Sequence, residues 1–314
     1  MKAAIIDAAG TAPRYDDFAD PEPAEGEQVL RVLGAGIHPV VRGLASGAHY
    51  GSAGTYPLVP GVDGVAVGDD GTARYTGFIR APWGTMAERV AARMGVPLPD
   101  GADPVAIAGG LNPGLSSWMP LVARQQEVEC LGTVLIIGAT GVAGRIAVQN
   151  AFLLGADRVI GVGRDAARLR EVESLGAVPV ALADGPDALT RALDGTAPGI
   201  VLDYAWGTAA ESAWEALSRR SLHDDVADIA FVHIGSMAGA TAALPGALLR
   251  SRNIVVRGAG AGSTPVAEIM AQLPAFMQRI AAGEVRVAAR AFGLSQVAEA
   301  WEYRGAERAV VVPD

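Results

Sequence analysis

Cysteine, lysine and aromatic side chains are scarce in this chain, and each scarcity narrows what it can be. The single cysteine, Cys130, excludes an intrachain disulfide framework and any structural zinc site built on thiolates. It reads as an inert, semi-buried thiol just ahead of a strand. Lysine occurs once, at Lys2, so nearly every fixed cation is an arginine. Aromatics supply 5% and charged residues 19% of the 314 positions while 50% are hydrophobic, a balance that suits a packed enzyme and not a disordered chain. The net charge of −9, with arginines scattered among acids, leaves no basic face for nucleic acid. No apolar run approaches the roughly 18 residues of a membrane span without Gly, Pro or charge. Asp7 interrupts the apolar start where a signal sequence needs a continuous core. These absences predict a cytoplasmic protein with no membrane partner, long enough for two domains.

The most informative segment that is present spans 133–164. An apolar strand, 133–137, enters the turn Gly138-Ala139-Thr140-Gly141-Val142-Ala143-Gly144, a helical stretch runs to Leu154, and a second apolar strand covers 159–163. A dinucleotide needs this strand–turn–helix–strand order. Gly141 lets backbone approach a pyrophosphate, Gly144 lets the helix pack on the sheet, and the helix N-terminus offers free N–H groups to phosphate. The glycine fingerprint is degenerate, since Ala139 stands at its first position, but the flanking elements fit on both sides. Ala139, Thr140, Gly141, Val142, Ala143 and Gly144 are therefore the expected cofactor cradle.

The end of the second strand selects between nucleotides. NAD-binding units usually place an acid there for the ribose hydroxyls, whereas this chain has Gly163-Arg164, with Asp165 one step later. A guanidinium grips a 2′-phosphate that a carboxylate would repel. NADP(H) is the expected cofactor, with Arg164 as the main contact and Arg168, one helical turn on, as a second. The competing reading makes Arg164 a solvated helix-start residue and leaves NAD(H) open.

Three blocks follow from the pattern. Up to residue 111 the chain reads as short strands (2–7, 28–34, 61–67, 72–79, 85–91) broken by Gly and Pro, with an Asp69-Asp70-Gly71 hairpin turn. Residues 112–260 alternate strands and helices: helices at 165–175, 188–193, 208–219 and 245–251, and strands at 178–182, 199–204, 229–235 and 253–257. That alternation predicts an α/β fold with a doubly wound parallel sheet of six strands. The tail, 261–314, shows a helix at 265–282, a strand at 285–292, a helix capped by Ser295 with Val297, Ala300 and Trp301 as its apolar side, and a strand at 309–312. The tail is expected to rejoin the first block, with the active site in the cleft between domains at the carboxyl ends of the parallel strands.

Several further runs carry a resemblance. They are Gly36-Ile37-His38-Pro39, Tyr56-Pro57-Leu58-Val59-Pro60-Gly61-Val62-Asp63-Gly64, Gly84-Thr85-Met86-Ala87-Glu88 and Asn112-Pro113-Gly114-Leu115-Ser116-Ser117-Trp118. The Ala-x-Gly-x-x-Gly turn, Val232-His233-Ile234-Gly235-Ser236 and Gly258-Ala259-Gly260-Ala261-Gly262-Ser263 complete them. In this order they resemble the zinc-independent, quinone-oxidoreductase-like branch of the medium-chain dehydrogenase/reductase superfamily, across essentially the whole chain. The resemblance implies a GroES-like, β-rich substrate domain (1–111 with 261–314) and a Rossmann NADP-binding domain (112–260). It also implies a homodimer that pairs around 253–257, where Ile254-Val255-Val256 would otherwise be an aggregation-prone edge.

Zinc enzymes of that superfamily place their catalytic ligands at positions matching His38, Val62 and Asn112. Valine cannot ligate and a neutral amide is a poor zinc ligand, so no metal is expected. Carbonyl polarisation then falls to hydrogen-bond donors or to an electron-poor acceptor. The candidate catalytic donors are His38, Tyr50 and Asn112. His38 takes the old ligand position and faces the cleft or holds a loop. Tyr50 matches a tyrosine of the quinone-reductase relatives or is a half-buried barrel residue. Asn112 fixes the loop or touches the nicotinamide amide. Gly235 and Ser236 after the fifth strand, with Gly260 and Ser263, are further cofactor contacts, the glycine run doubling as a hinge. Tyr204 and Trp206 cover the cofactor or belong to the core. His49, His223 and His233 show no constellation, and His223 reads as surface.

The expected activity is hydride transfer from NADPH to a quinone or an α,β-unsaturated carbonyl, a small-molecule substrate, without metal. A zinc-free ketone or imine reductase of secondary metabolism, and a low-turnover NADPH-binding sensor, stay open beside it.

Overall fold

A computed structural model describes residues 1–314 except Met94, Arg220, Ser221 and Ala261, and the chain divides into two units, Met1–Pro113 with Leu273–Asp314, and Gly114–Gln272. Both boundaries fall inside helices. Among the described residues no helix is long and apolar enough to cross a membrane.

The Gly- and Pro-broken first third folds into short strands. Lys2–Ile5 (β1) pairs antiparallel with Arg14–Asp17 (β2). Glu27–Gly36 (β3) is the long strand of this unit, and a short helix, Pro39–Ala45 (α1), leaves its end. Asp63–Val67 (β4) and Ala73–Gly77 (β5) form the expected hairpin, closed through Gly71, whose φ of 74° an L side chain rarely adopts. Arg89–Arg93 (β6) and Val96–Pro97 (β7) follow. The strand expected from 85 starts only at Arg89, because Thr85 turns inward and donates its hydroxyl to the Asp63 carbonyl at 2.7 Å.

Pro104–Glu127 (α2) is a helix of 24 residues that propensity does not announce, since Gly109, Gly110, Pro113 and Gly114 all disfavour helix. Tertiary packing overrides propensity here. A Cβ on Gly110 would lie 2.3 Å from the Val287 side chain, and one on Gly109 would lie 3.1 Å from both Ala289 and Val310. The glycines are what close approach requires.

In the second unit the strands are Thr133–Ile137 (β8), Arg158–Gly163 (β9), Val178–Ala181 (β10), Ile200–Asp203 (β11), Ile229–His233 (β12) and Ile254–Gly258 (β13). Between them lie the helices Val142–Leu153 (α3), Ala166–Ser174 (α4), Gly185–Leu193 (α5), Gly207–Leu217 (α6) and Gly246–Ser251 (α7). The sheet is wholly parallel, in the order β10-β9-β8-β11-β12-β13. β8 and β11 are buried along their full length, which is why both read as unbroken apolar runs and not as alternating ones. The chain winds outward from β8 to β10 and then returns to β8's other side with β11, so the winding direction switches between these two strands. Trp214 and Phe231, both fully buried, anchor the core on one side of the sheet.

Val266–Ala281 (α8) leads into Ala289–Gly293 (β14), Val297–Glu302 (α9) and Arg308–Val312 (β15). The first unit's main sheet then runs β14-β15-β3-β4-β5-β7, with β6 on β3. Val297, Ala300 and Trp301 are buried as the apolar spacing predicts. Ser295 is not the helix cap: it sits in a 3-10 turn, and its N–H and hydroxyl bond the Asp314 carboxylate instead. Cys130 is exposed, not semi-buried.

Candidate nucleotide-binding and active site

The β8–α3 turn is built by its small residues. Gly138 has φ of 91°, and Gly141 forms the N-cap of α3 without any side-chain cap, leaving the first-turn N–H groups of Val142, Ala143 and Gly144 uncapped by protein side chains. No acid sits in that turn, so the positive end of the helix dipole is not neutralised. A Cβ on Gly144 would lie 2.3 Å from the Gly138 carbonyl oxygen, whereas one on Gly141 would meet only that oxygen, at 3.5 Å. Gly144 therefore serves helix packing, and the approach to Gly141 is open. Ala139, the departure from the glycine pattern, is fully buried, and a Cβ on Gly161 would lie 3.0 Å from its methyl. Glycine at 161 supplies the space that alanine at 139 occupies. Gly163 likewise makes room for Thr140, whose Cγ2 lies 2.2 Å from where a Cβ would stand. These features fit a pyrophosphate-bearing nucleotide: an uncapped helix start beside backbone with nothing in front of it.

At the end of β9, Arg164 is exposed and has neither hydrogen bond nor ion pair among the described residues. Asp165 caps α4, its Oδ1 accepting from the N–H groups of Ala167 (2.9 Å) and Arg168 (3.1 Å). Those backbone donors hold its carboxyl below the usual range. The acid beside Arg164 is thus committed to the helix, and Arg168 stands 3.8 Å from its other oxygen.

The ends of β11 and β12 hold a cluster that sequence reading missed. Asp203 is fully buried; its Oδ1 accepts from Ala205 N (2.8 Å) and Trp206 N (2.9 Å), while Oδ2 has no hydrogen-bond partner among the described residues. Burial raises its carboxyl above the ordinary value. The turn it organises holds Trp206 at φ 56°, with the indole edge-on to Trp214 at 5.3 Å and to His233 at 4.5 Å. His233 Nε2 lies 3.1 Å from the Ser236 hydroxyl, so His233 does belong to a constellation, contrary to the sequence reading. Parallel register places Asp203 beside His233, a pairing between strands that no local pattern encodes. The Gly235 N–H donates to the Asp203 carbonyl at 3.1 Å. Tyr204 joins the core, its hydroxyl 3.0 Å from Ser116, and burial pushes its pKa up to about 12. Gly260 and Ser263 bond each other in one turn, Gly260 N–H to Ser263 Oγ at 2.8 Å. Ala261, from the same glycine run, lies outside the described residues.

In the first unit, His38 and Asn112 meet on one carboxylate. Asp63, 5% exposed, accepts from Tyr75 Oη (2.7 Å) and Asn112 Nδ2 (2.5 Å) on Oδ2, and its Oδ1 lies 3.5 Å from His38 Nε2. Antiparallel register sets Tyr75 diagonal to Asp63 on the facing strand. Asp63 stood in a quoted motif, but nothing in sequence pointed to Tyr75. Asn112 lies in α2 and not in a loop. His38 is 1% exposed, and burial holds its imidazole below the usual pKa, hence neutral at neutral pH. Neither residue presents a free donor to solvent. Tyr50 is 82% exposed and stacks on His49 at 4.1 Å, so the half-buried barrel reading is replaced by an exposed phenol. His223 is exposed, as read. Val62 offers no ligand atom, and no group of three or more His, Cys, Asp or Glu that could hold a metal occurs among the described residues.

A parallel sheet wound in two directions, an open glycine turn at its switch point and a separate mixed, mostly antiparallel sheet define a two-unit dinucleotide-binding oxidoreductase fold. No protein-family model matches the chain. A protein of Emericella nidulans described as a probable NADPH-dependent quinone reductase, tdiC, is 30% identical over 360 aligned positions that span 100% of both chains. The chain belongs to the medium-chain dehydrogenase/reductase superfamily, in its quinone-oxidoreductase-like branch. Among solved structures, the quinone oxidoreductase of Thermus thermophilus, known also in complex with NADPH, superposes with a TM-score of 0.81 at 26% identity, covering 99% of this chain and 100% of that one. An alcohol dehydrogenase superfamily protein of Novosphingobium aromaticivorans gives 0.83 over 100% of both chains at 20% identity, a likeness of fold.

Proposed function

We propose that this chain is an NADPH-dependent reductase of quinones or α,β-unsaturated carbonyls that works without a metal. The observation that carries the reading is the uncapped start of α3 beside an Arg164 unpaired among the described residues, whose neighbouring acid is held by α4. When bound, the nicotinamide supplies a hydride. The chain's own part is to hold the nucleotide: α3 N–H groups on the pyrophosphate, and Arg164, with Arg168, on the 2′-phosphate. Gly235, Ser236, Gly260 and Ser263 are the proposed contacts nearer the reactive ring.

Of the three candidate donors, Tyr50 has its hydroxyl open to solvent and takes the role of hydrogen-bond donor to the acceptor. His38 and Asn112 act as positioning residues through Asp63. The metal-free reading rests on donor chemistry, because the positions matching zinc ligands offer only one good ligand, His38, and that imidazole is sealed beside Asp63. Pairing of β13 with a second copy would cover Val255, 58% exposed on this edge strand, and carries the homodimer proposal.

The test measures NADPH and NADH oxidation against a panel of quinones and enones for the wild type and Arg164→Ala. The expected result is turnover with NADPH and a rise in its KM of about tenfold or more in the variant, the scale of a lost charge-assisted contact, with NADH unaffected. An unchanged cofactor preference removes Arg164 from the site. Tight NADPH binding without turnover on any acceptor favours the sensor reading instead.

A further inference from the structure

A cavity of about 280 Å³ opens at the C-terminal end of α1, lined by Gly10, Thr11, Arg42, Gly43, Ser46 and Trp301 among others, all from the first unit. Trp301 is part of the lining, with the Arg42 guanidinium carbon 4.8 Å from its ring centroid. Among the described residues the Arg42 guanidinium makes no hydrogen bond and no ion pair. Several other arginines withdrawn from solvent do meet an acid: Arg74 meets Asp70 at 2.5 Å, Arg124 meets Glu127 at 3.0 Å, and Arg252 meets Asp225 at 3.4 Å.

The nearby acceptors are already engaged. The carbonyls of the last turn of α1 accept from Ser46 N, Ser46 Oγ, Gly47 N and the Tyr56 hydroxyl. Glu302 is ion-paired with Arg304 at 3.5 Å, which leaves the cavity with one uncompensated positive charge. A half-desolvated guanidinium without a partner is unfavourable unless an anion or water supplies the acceptor. Burial and the neighbouring Arg304 press against its charged form, and Glu302 offsets only part of this.

We propose that this cavity binds a small, flat organic carboxylate. One cation matches a single negative charge, and the planar guanidinium fork matches a carboxylate in two hydrogen bonds. The site sits at the negative end of a short helix, which opposes negative charge and so penalises a multiply charged phosphate more than a monoanion. Its volume lies just below the roughly 300–1,000 Å³ typical of ligand sites, and the aromatic wall favours a planar body lying beside the charge.

Calorimetric titration of the full chain with sodium benzoate, and with neutral benzamide as its isostere, tests the proposal. Three proteins are compared: wild type, Arg42→Gln, and Ser46→Phe, which adds bulk to the lining from an exposed position and keeps the guanidinium. Benzoate is expected to bind the wild type with millimolar affinity. Its affinity should fall about tenfold or more in each variant, and benzamide should bind all three as weakly as benzoate binds Arg42→Gln. Benzoate binding that persists in both folded variants overturns the proposal, as does a wild type that takes up none at millimolar concentrations.

Discussion

Replacing Asp63 by Asn isolates the buried hub of the first unit. The carboxylate accepts from Tyr75 and Asn112 at 2.7 and 2.5 Å in a pocket that leaves it 5% exposed. Each hydrogen bond to an ionised acceptor contributes about 1.5–3 kcal/mol. Both donors converge on Oδ2, so an asparagine oxygen at that place keeps both as neutral bonds worth about 1 kcal/mol each, with its NH₂ turned to His38. Relief of the buried charge returns part of the loss. The net destabilisation is about 1–3 kcal/mol, which at about 2.1 cal/mol/K of unfolding entropy per residue lowers Tm by roughly 2–5 °C. Scanning calorimetry of Asp63→Asn, Tyr75→Phe and the double variant measures it. The two changes should be non-additive by more than about 0.5 kcal/mol, because they share one hydrogen bond. A Tm within a degree of the wild type for Asp63→Asn, or strict additivity, would refute the hub.

Two further outcomes follow from the same geometry. His38 is buried and its folded-state pKa lies below the ordinary 6.5, so the unfolded chain takes up the proton first; its contribution is fully present above pH 6.5 and is lost as pH falls toward the folded value, at about 1.4 kcal/mol per unit of depression. Urea midpoints between pH 7.5 and 5.5 should fall more steeply for the wild type than for His38→Gln, and parallel curves would contradict this. Gly144→Ala places a methyl 2.3 Å from the Gly138 carbonyl oxygen, where backbone must shift. It should cost about 1–3 kcal/mol of stability and weaken NADPH binding, whereas Gly141→Ala, with open space before it, should leave stability nearly intact.

The second unit was legible in the sequence almost strand by strand. Its helices and strands are local and regular, and a parallel sheet buried on both faces writes each strand as an unbroken apolar run, as in Thr133–Ile137. The first unit was less so. α1 is too short, at seven residues, to show a helical period. α2 was missed because its glycines and inner prolines disfavour helix locally, and only packing against Val287, Ala289 and Val310 shows what the glycines of α2 are for. The Ser295 cap failed for a similar reason: a distant carboxylate, Asp314, claimed its hydroxyl.

For the site, order and spacing along the chain determined the glycine turn, its strand and helix flanks and the arginine that follows, because each works through backbone only a few residues away. Tertiary structure alone decided which side chains meet. Asp63 with Tyr75 and Asn112, Asp203 beside His233, and Arg42 over Trp301 join positions far apart in sequence. Their hydrogen bonds and stacking depend on register and burial, which one-dimensional periodicity does not encode.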